Sequence, residues 1–360
     1  MAAYQASHRT VFSTHPLNAE PDIARLGAHT FTPQDMLYVR SHGTQPELNS
    51  ATHRLSVDGL VERPLTLSLE ALKTRFPSKS VDAVLQCAGN RRADHHAHAP
   101  VSGDPWAGGA IGQGRWTGVP LKAVLDAAGV SVHEGHVAFY GLDDVEMEDE
   151  RFQYGVSIPL EKALDDDTLL AWAVNGEPLR PEHGYPLRVI VPGVAGVRSA
   201  KWVHRIEVRE TEADTPIQRR DYKLLPPHMS LEQADWSQGI VINEMPLNAL
   251  ICSPRDHARL PAGRQRIEGY AIANGRSVAR VDVSPDGGAH WHQAALTREP
   301  DARWGWTLWQ VTLEFGPGTH EVVVRAFDGA GQTQPEHPGA SWNAKGYLCA
   351  SWHRITLTVE

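Results

Sequence analysis

Apolar residues recur along this chain with two different periods, and the helical period is confined to the part before residue 240. Three segments have helical spacing: residues 69–76, residues 120–129 and a segment that begins at Pro159. The second is the clearest, because its apolar residues fall on one face, Pro120 suits the first helical position and Gly129 suits the end of a helix. The pattern therefore predicts a few short helices in the first part of the chain.

Strand-like stretches are interleaved with these helices. The pair Asn175-Gly176 follows the apolar run 169–174 and is typical of a tight hairpin, for which 187–191 is the predicted return strand. A second strand-like alternation runs from Thr52 to Leu67. Helices mixed with hairpins predict an α+β fold for this part rather than a regular series of βαβ units.

Beyond residue 240 the pattern is strand after strand, with turns such as Pro285-Asp286-Gly287-Gly288 between them. No convincing amphipathic helix occurs there, so the pattern predicts an antiparallel β-sandwich of roughly 120 residues. We predict two domains: 1–230, with an irregular N-terminal segment at 1–35, and 236–360, joined by the charged stretch 211–236. The predicted strands of the second domain are 265–272, 278–283, 309–315, 321–327 and 354–359.

Composition excludes several classes of protein. The net charge of −9 argues against general nucleic-acid binding, although it allows a locally basic pocket. Three cysteines form no disulfide framework, which suits a reducing compartment, and no apolar run is long enough to cross a membrane. The first ten residues lack the apolar stretch of a signal peptide, so we expect a cytoplasmic protein with no membrane partner.

Cys87 is the first candidate for chemistry. It follows the apolar run 81–85 and precedes the turn-forming pair Gly89-Asn90 and two arginines, Arg91 and Arg92. A thiolate at the end of a buried strand, beside positive charge, suits a soft metal or a nucleophilic reaction. These residues alone are equally compatible with a buried cysteine that acts as a small apolar side chain.

A second set of candidates gathers cations and glycines near residue 190. Arg188 lies inside an apolar strand pattern, where an unpaired charge would be costly, and 192–202 combines glycines with Arg198 and Lys201. Such a segment can bind phosphate, or it can be an ordinary surface loop. Two weaker signals are the histidines between 95 and 98, which we expect in an exposed loop, and the glycine-rich run 108–114, a weak phosphate-loop pattern.

Taken in order, these motifs resemble the sulfite oxidase family of molybdenum enzymes, from about Tyr38 to the C-terminus. Each motif is weak alone, but the ordered set is specific. The matching segments are Cys87–Arg92, Trp106, 110–112, Trp116–Val119, 154–159, His183-Gly184, 191–194, 198–202, Asp221-Tyr222-Lys223 and Trp352–Arg354.

The resemblance implies a mixed α+β molybdopterin-binding domain followed by an immunoglobulin-like β-sandwich that mediates homodimerisation. It implies that the Cys87 thiolate binds molybdenum beside the sulfurs of molybdopterin. It also implies a cofactor pocket in which Arg188 and Lys201 bind phosphate while Asp143 and His183 bond to the pterin. The cofactor residues carried over are Tyr38, Arg40, His42, Cys87, Asp143, His183, Arg188, Ser199 and Lys201.

The implied reaction is oxygen-atom transfer, from sulfite to sulfate, with electrons passed to an external acceptor. No haem domain precedes residue 36 or follows Glu360, so we expect no haem in this chain. A small oxyanion would be held by several cations and a tyrosine. The substrate residues carried over are Arg40, Arg92, Trp106, Tyr222 and Lys345.

Two positions depart from the family pattern. Lys345 stands where sulfite oxidases usually have arginine, which keeps the charge and loses the planar fork, whereas plant-type nitrate reductases lack a cation there. Tyr347 is bulkier than the usual aliphatic residue. These departures leave open a second hypothesis, reduction of nitrate or of an S- or N-oxide with the same cofactor. A third is a binding or assembly module without catalysis.

Overall fold

The computed structural model describes residues 9–147, 150–226, 229, 231–300 and 302–360, which form two β-rich units with a few short helices. Among these residues no helix is long and apolar enough to cross a membrane. The helices are α1 (Ile23–Leu26), α2 (Leu69–Arg75), α3 (Arg92–His98), α4 (Leu121–Ala128), α5 (Leu160–Ala163) and α6 (Pro216–Arg219). The strands are β1 (Arg9–Thr14), β2 (Leu17–Pro21), β3 (Val39–Arg40), β4 (Gly43–Thr44), β5 (Arg54–Gly59), β6 (Leu65–Ser68), β7 (Lys79–Gln86), β8 (Ile111–Pro120), β9 (His136–Met147), β10 (Glu150–Pro159), β11 (Leu169–Val174), β12 (Glu177–Pro178), β13 (Arg188–Ile190), β14 (Val203–Arg209), β15 (Lys223–Leu224), β16 (Ile240–Val241), β17 (Asn248–Ser253), β18 (Arg259–Leu260), β19 (Gly263–Ile272), β20 (Val278–Ser284), β21 (His292–Gln293), β22 (Ala295–Thr297), β23 (Thr307–Phe315), β24 (Gly318–Asp328) and β25 (His353–Val359).

The first unit contains two main sheets. One has the strand order β10-β9-β14-β5-β6, with β4 paired to β9, and the other has the order β12-β11-β8-β7, with β13 paired to β11. The second sheet is apolar on both faces, because Val119 and Leu170 join the main core while Ala83 and Ala171 join a separate cluster on the other side. This arrangement confirms the predicted α+β class, and it places the ends of β7 and β13 inside the unit.

The three helices predicted from spacing are present. In α4 the apolar face joins the main core, and Gly129 has a left-handed φ of 71° from which its N–H reaches the carbonyls of Leu125 and Asp126. Pro120 precedes the first helical residue instead of occupying it. A serine at position 68 caps α2 by accepting a 3.0 Å hydrogen bond from the N–H of Ala71.

The hairpin at Asn175-Gly176 forms, with both residues at positive φ. Its return strand is the two-residue β12, so the predicted return strand at 187–191 was wrong in that role. Residues 188–190 nevertheless pair with β11, antiparallel, as β13. The 3-10 turn Pro181–His183 and the following residues lead the chain back to β11, and that path places Arg188 inside the sheet.

The N-terminal residues correct a further prediction. Residues 1–35 were expected to be irregular, but 9–21 form the hairpin β1–β2, and β2 pairs with β3 so that Asn18 lies opposite Arg40. The hairpin buries polar side chains, Asn18 and Glu20, and therefore shows no apolar alternation from which it could be recognised. The first eight residues of that predicted segment lie outside the described residues.

Glu20 connects this hairpin to the loop before β8. Its carboxylate accepts hydrogen bonds from the N–H groups of Ala107, at 2.9 Å, and Gly109, at 3.0 Å. Burial is the main influence on its pKa and raises it from 4.5 to about 7, against the opposite effect of these two bonds. The carboxylate is therefore a buried charge that the fold tolerates only above neutral pH.

We expect this carboxyl group to make folding stability depend on pH. The folded protein keeps the proton where the unfolded chain has released it, so stability falls as pH rises from about 4.5 to about 7. The contribution is at most about 3 kcal/mol. Chemical denaturation at pH 5 and pH 8 should show a smaller difference for Glu20→Gln than for the wild type. The exposed Glu62→Gln serves as control, and an unchanged difference in Glu20→Gln would refute the assignment.

The second unit is a sandwich of two sheets, as the strand pattern predicted. The strand orders are β17-β19-β23-β22 and β18-β25-β24-β20-β21. Side chains from both sheets, including Val281, Trp309 and Leu357, form one apolar core. Pairing is antiparallel except between β18 and β25, and the five predicted strands are all present.

The sandwich is joined to the first unit by hydrogen bonds as well as by apolar contact. The carbonyl of Trp304, in the loop before β23, accepts from the N–H of Val84 at 3.0 Å and so extends the edge of β7. Two residues later, the N–H of Trp306 donates to the Gln113 side chain at 2.7 Å. The strand that ends at Cys87 is therefore paired partly by the other unit.

The histidines between 95 and 98 do not form the exposed loop that we expected. They lie on α3, where His95 is fully buried and its Nε2 lies 3.0 Å from the Ser341 hydroxyl, whereas His96 and His98 are exposed. The helix forms because Ala93 and Ala97 have high helix propensity and Asp94 places a negative charge in its first turn. No group of three His, Cys, Asp or Glu side chains within the described residues is arranged to hold a metal ion. The glycine-rich run 108–114 enters β8, where Gly112 packs on Leu37, so it is not a phosphate loop.

Candidate active site

Cys87 lies directly after β7, in a position that the backbone determines. Its N–H donates to the carbonyl of Ala110 at 2.9 Å, and its Sγ accepts from the N–H of Gly89 at 3.4 Å. The side chain is 5% exposed and makes no disulfide. Burial raises the pKa of the thiol, and the nearby guanidinium groups of Arg92 and Arg40 act in the opposite direction. The thiol is thus held in place, unreactive until something stabilises the thiolate.

A cavity opens beside this thiol between the two main sheets. Its wall is built from the segment around β3, from the ends of β7 and β13, and from residues of β9 and β10. All nine residues that the resemblance assigned to the cofactor line it, and Cys87 is among them. The structure therefore brings together Tyr38, Arg40, His42, Cys87, Asp143, His183, Arg188, Ser199 and Lys201.

Two cations, the buried Arg188 and the half-buried Lys201, line this cavity. Arg188 donates to the carbonyls of His183, at 2.9 Å, and Ser199, at 3.1 Å, and Lys201 donates to the Ser41 hydroxyl at 2.7 Å. Burial lowers the pKa of Arg188 to about 10 and that of Lys201 to about 7. No carboxylate within the described residues lies at ion-pair distance from either cation. A buried charge without a counter-ion is costly, so this end of the cavity is suited to an anionic group.

The wall of the first cavity also contains a carboxyl group, that of Asp143, with an incomplete set of hydrogen-bond partners. Asp143 is buried, and its Oδ1 has no hydrogen-bond partner within the described residues. Burial raises the pKa of this carboxyl group to about 6, and the charge of Lys201 opposes the shift. Buried acceptors are normally hydrogen-bonded, so we expect a molecule bound in this cavity to offer an N–H or O–H donor to Asp143.

The donor set fits a molybdenum-bearing pterin. Cys87 offers a soft sulfur ligand, Arg188 and Lys201 offer charge for a phosphate, and Asp143 offers an acceptor for ring N–H groups. His183 is tied by its Nε2 to the carbonyl of Gln34 at 2.9 Å, and burial keeps its pKa well below the usual value, so it lines the cavity as a neutral ring.

A second cavity adjoins the first and opens beneath the β1–β2 turn. Four residues line both cavities: Arg40, His42, Cys87 and Tyr222. Arg92, Lys345 and Tyr347 line only the second one. A molecule bound in the second cavity would lie next to the Cys87 thiol and near the cations Arg40, Arg92 and Lys345.

Trp106 is the one predicted substrate residue that lines neither cavity. It is fully buried behind Cys87 and packs edge-on against Phe12, with ring centroids 4.7 Å apart. Its indole N–H has no hydrogen-bond partner within the described residues. In this structure Trp106 packs in one apolar cluster with Cys87, and its contact with substrate stays a prediction.

The cations of the second cavity are held in different ways. The Arg92 guanidinium donates to the carbonyls of Asp104, at 2.8 Å, and Lys345, at 2.9 Å, so its charge is not cancelled. The Nζ of Lys345 lies 3.3 Å from Oδ1 of Asp221 and 5.4 Å from the centroid of the Trp236 ring. The charge of Lys345 is therefore partly neutralised by a carboxylate that lines the same cavity.

Tyr222 lies where the two cavities meet. Its backbone is in the left-handed region, with φ of 55°, and its hydroxyl lies 2.7 Å from Nε2 of His42. Burial raises the pKa of Tyr222 and lowers that of His42 well below its usual value. At neutral pH the phenol thus keeps its proton and the imidazole is uncharged, so the pair can hold or pass one proton.

Several lining residues escaped sequence reasoning. Asn18 accepts from the N–H of Ser41 at 2.9 Å and thereby supports the turn that follows Arg40. Tyr154 bonds to the carbonyl of Val197, and its ring lies 5.4 Å from that of His42. Tyr154 stood in a quoted motif, but nothing in the spacing of polar and apolar residues marks Asn18 as part of a site.

Comparison with known proteins places the chain among molybdopterin enzymes. Residues 42–217 match the oxidoreductase molybdopterin binding domain, and residues 239–360 match the Mo-co oxidoreductase dimerisation domain. The chain is 40% identical to the sulfite oxidase of Gallus gallus over 96% of its own length and 76% of the chicken protein. It is 36% identical to the sulfite oxidase of Arabidopsis thaliana, covering 96% of this chain and 93% of the plant protein.

Other relatives show how far the similarity extends. The chain spans about two thirds of the human mitochondrial sulfite oxidase, to which it is 40% identical (66% of the human protein and 97% of this chain). It is similar in fold to the crystal structure of the sulfane dehydrogenase SoxCD from Paracoccus pantotrophus. That match has a TM-score of 0.83 at 27% identity and covers all of this chain and 94% of the other.

Proposed function

The chain belongs to the sulfite oxidase family, and from this premise we propose that it oxidises sulfite to sulfate with a molybdopterin cofactor. The observation that carries the proposal is the position of Cys87, which lines both the cavity that gathers the nine cofactor residues and a second cavity whose wall includes Arg40, Arg92 and Lys345 beside three carboxylate residues. The balanced reaction takes sulfite and water to sulfate, two protons and two electrons. The electrons pass to an external acceptor.

When bound, the cofactor would supply the exchangeable oxygen and accept the electron pair. The protein holds it through residues of the first cavity. The Cys87 thiolate would be the protein ligand to the metal, and Arg188 and Lys201 would bind the phosphate. Asp143 would accept a hydrogen bond from the pterin, which would complete the pairing that its Oδ1 lacks.

In the second cavity the protein would attract and orient the oxyanion. Arg40 and Arg92 carry positive charges that no carboxylate at ion-pair distance cancels within the described residues. Because Arg92 is buried and Arg40 is half-buried, these charges act on a dianion more strongly than they would in water. The Tyr222 hydroxyl keeps its proton and can donate a hydrogen bond to a substrate oxygen, while His42 holds the phenol in position.

The test is sulfite-dependent reduction of ferricyanide by protein whose molybdenum content has been measured. We expect turnover to increase in proportion to molybdenum content across preparations with different loading. A fully loaded enzyme that does not oxidise sulfite would overturn the proposed substrate, although the cofactor assignment would survive.

The Lys345–Asp221 pair supports one alternative. Asp221 reduces the positive charge that faces the substrate, which suits a monoanion such as nitrate better than a dianion. The alternative is that the same cofactor reduces nitrate or an S- or N-oxide. Reduced enzyme that is reoxidised by nitrate, from a preparation inert to sulfite, would establish it.

We expect Lys345→Met to raise the KM for sulfite by roughly tenfold and to change kcat little. The substitution removes a cation and leaves the Asp221 carboxylate unpaired in the cavity wall, where it repels an anion. Steady-state kinetics with sulfite would measure both constants. Lys345→Arg keeps the charge and should stay near the wild-type KM. An unchanged KM in Lys345→Met would mean that this side chain does not face the substrate.

We also propose that the enzyme is a homodimer formed through its immunoglobulin-like sandwich. The match of residues 239–360 to a dimerisation domain supports this proposal. Light scattering of the purified protein would test this proposal, and a molar mass equal to that of one chain would refute it. A cytoplasmic location remains a prediction, consistent with three free cysteines, and fractionation of native cells would test it.

A further inference from the structure

Tyr347 forms part of the wall of the substrate cavity and touches two groups that act there. Its ring lies nearly parallel to that of Tyr222, with centroids 5.2 Å apart and an angle of 17° between the planes. The Arg92 guanidinium lies 5.4 Å from the centroid of the same ring. Tyr347 is 6% exposed, and that remaining exposure is consistent with its place among the residues that line the cavity.

The segment that carries Tyr347 is held rigidly. The Asn343 side chain accepts from the N–H of Tyr347 at 3.0 Å and donates to its carbonyl at 2.7 Å. Gly346 has a positive φ, and a Cβ at that position would lie 2.6 Å from Cγ of Arg92. The backbone that carries the ring is therefore fixed next to Arg92.

Tyr222 needs such support, because a left-handed backbone is strained for an aromatic residue. Its carbonyl accepts from the N–H of Ile242 at 2.8 Å, which fixes the backbone, and its hydroxyl lies at hydrogen-bond distance from His42, which fixes the hydroxyl. Two rings contact the Tyr222 ring: His42 lies edge-on to it, with centroids 5.6 Å apart, and Tyr347 stacks on its face. The stack with Tyr347 is the contact that covers the face of the ring.

We propose that the ring of Tyr347 determines which oxyanions this cavity accepts. The ring fills space beside Tyr222 that a smaller side chain would leave open to the substituent of a larger anion, and it holds Tyr222 in the orientation that binds sulfite. Tyr347 is thus a specificity-determining and positioning residue, and its phenol hydroxyl is not required. The inference rests on the proposed function, since it assigns the substrate cavity of that same site.

The test compares the wild type with Tyr347→Phe and Tyr347→Val, using sulfite and the larger ethanesulfinate as substrates. Ethanesulfinate and water would give ethanesulfonate, two protons and two electrons, with ferricyanide as the acceptor. We expect Tyr347→Val to lower kcat/KM for sulfite about tenfold, mainly through KM. It should raise the ratio of kcat/KM for ethanesulfinate to that for sulfite by at least about tenfold. Tyr347→Phe keeps the ring and should stay within about twofold of the wild type.

A binding measurement separates this inference from the proposed function. Calorimetric titration of the holoenzyme with sulfate and with ethanesulfonate needs no turnover, and Tyr347→Val should shift the ratio of their Kd values toward ethanesulfonate. If the wild type fails to oxidise sulfite, the proposed function fails while the Kd ratio still tests the role of Tyr347.

Two results would overturn the inference. One is an unchanged ratio of Kd values and of kcat/KM in Tyr347→Val. The other is a Tyr347→Phe variant that changes as much as Tyr347→Val, because the hydroxyl rather than the ring would then be responsible. Thermal unfolding checks that each variant folds, and Tyr347→Leu repeats the comparison with more apolar contact if the valine variant is unstable.

Discussion

Cys87→Ser should lose sulfite turnover by more than about a hundredfold while keeping the fold. Mutating even the partners of metal ligands commonly costs about 10–100-fold, and here the ligand itself is removed. A serine hydroxyl is a hard donor that stays protonated, so it replaces the soft thiolate poorly. Serine fits the space, because Cys87 is held mainly by its backbone bond to Ala110 and its Sγ accepts only one N–H.

The measurement is turnover per bound molybdenum, together with the visible absorption that a thiolate–metal bond produces. Cys252→Ala is the matched control, because Cys252 is equally buried but lies in an apolar cluster with Leu26 and Tyr270, away from both cavities. The control should keep its turnover and absorption. Full activity in Cys87→Ser would refute the ligand assignment.

Arg91→Met should lower the free energy of unfolding by about 3–5 kcal/mol, the usual cost of removing one partner from a buried charged network. The Arg91 side chain is fully buried between the two units. It donates to Asp94 at 2.8 Å and reaches the sandwich through Asn248, at 2.8 Å, and the carbonyl of Ser351, at 2.6 Å. Methionine fills part of the volume but leaves these acceptors without donors.

Urea denaturation of the holoenzyme, followed by two spectroscopic probes, would measure the change. Arg63→Met is the control, because Arg63 is exposed and its ion pair with Glu62 at 2.9 Å is screened by water. That substitution should cost less than about 1 kcal/mol. Equal midpoints for Arg91→Met and the wild type would show that the contacts between the units contribute little to stability.

The parts of the fold that sequence reasoning predicted have simple apolar periods. The helix 121–128 and the long strands of the sandwich bury one clear face each, so their spacing reveals them. The hairpin β1–β2 was missed because it buries Asn18 and Glu20 and pairs with a strand only two residues long. Its stability comes from hydrogen bonds to distant residues, which no local pattern encodes.

The residues of the site also divide into those that the sequence identified and those that it did not. Resemblance to a family identified the nine cofactor residues, and the structure brings all nine together, but spacing alone pointed to only part of them, including Cys87, Arg188 and Lys201. The ion-pair partners of these residues could not be predicted from the sequence. Lys345 could be recognised as a cation but not as one paired with Asp221. The direction of the Trp106 side chain, which lines neither cavity, was also beyond sequence reasoning, because a motif gives the order of residues and not the direction of a side chain.

The last quarter of the chain completes the catalytic cavity, and this affects how the enzyme must be made. Trp304 pairs with the strand that leads to Cys87, and Lys345 and Tyr347 line the substrate cavity. Chains emerge from the ribosome N-terminus first, so residues 9–226 leave it before these three are available. The cavity is therefore complete only once synthesis is nearly finished. It follows that the substrate cavity is completed late, whereas the residues that line the cofactor cavity all lie between 37 and 222. A chain shortened before residue 347 would present the thiol in an open, incomplete substrate site.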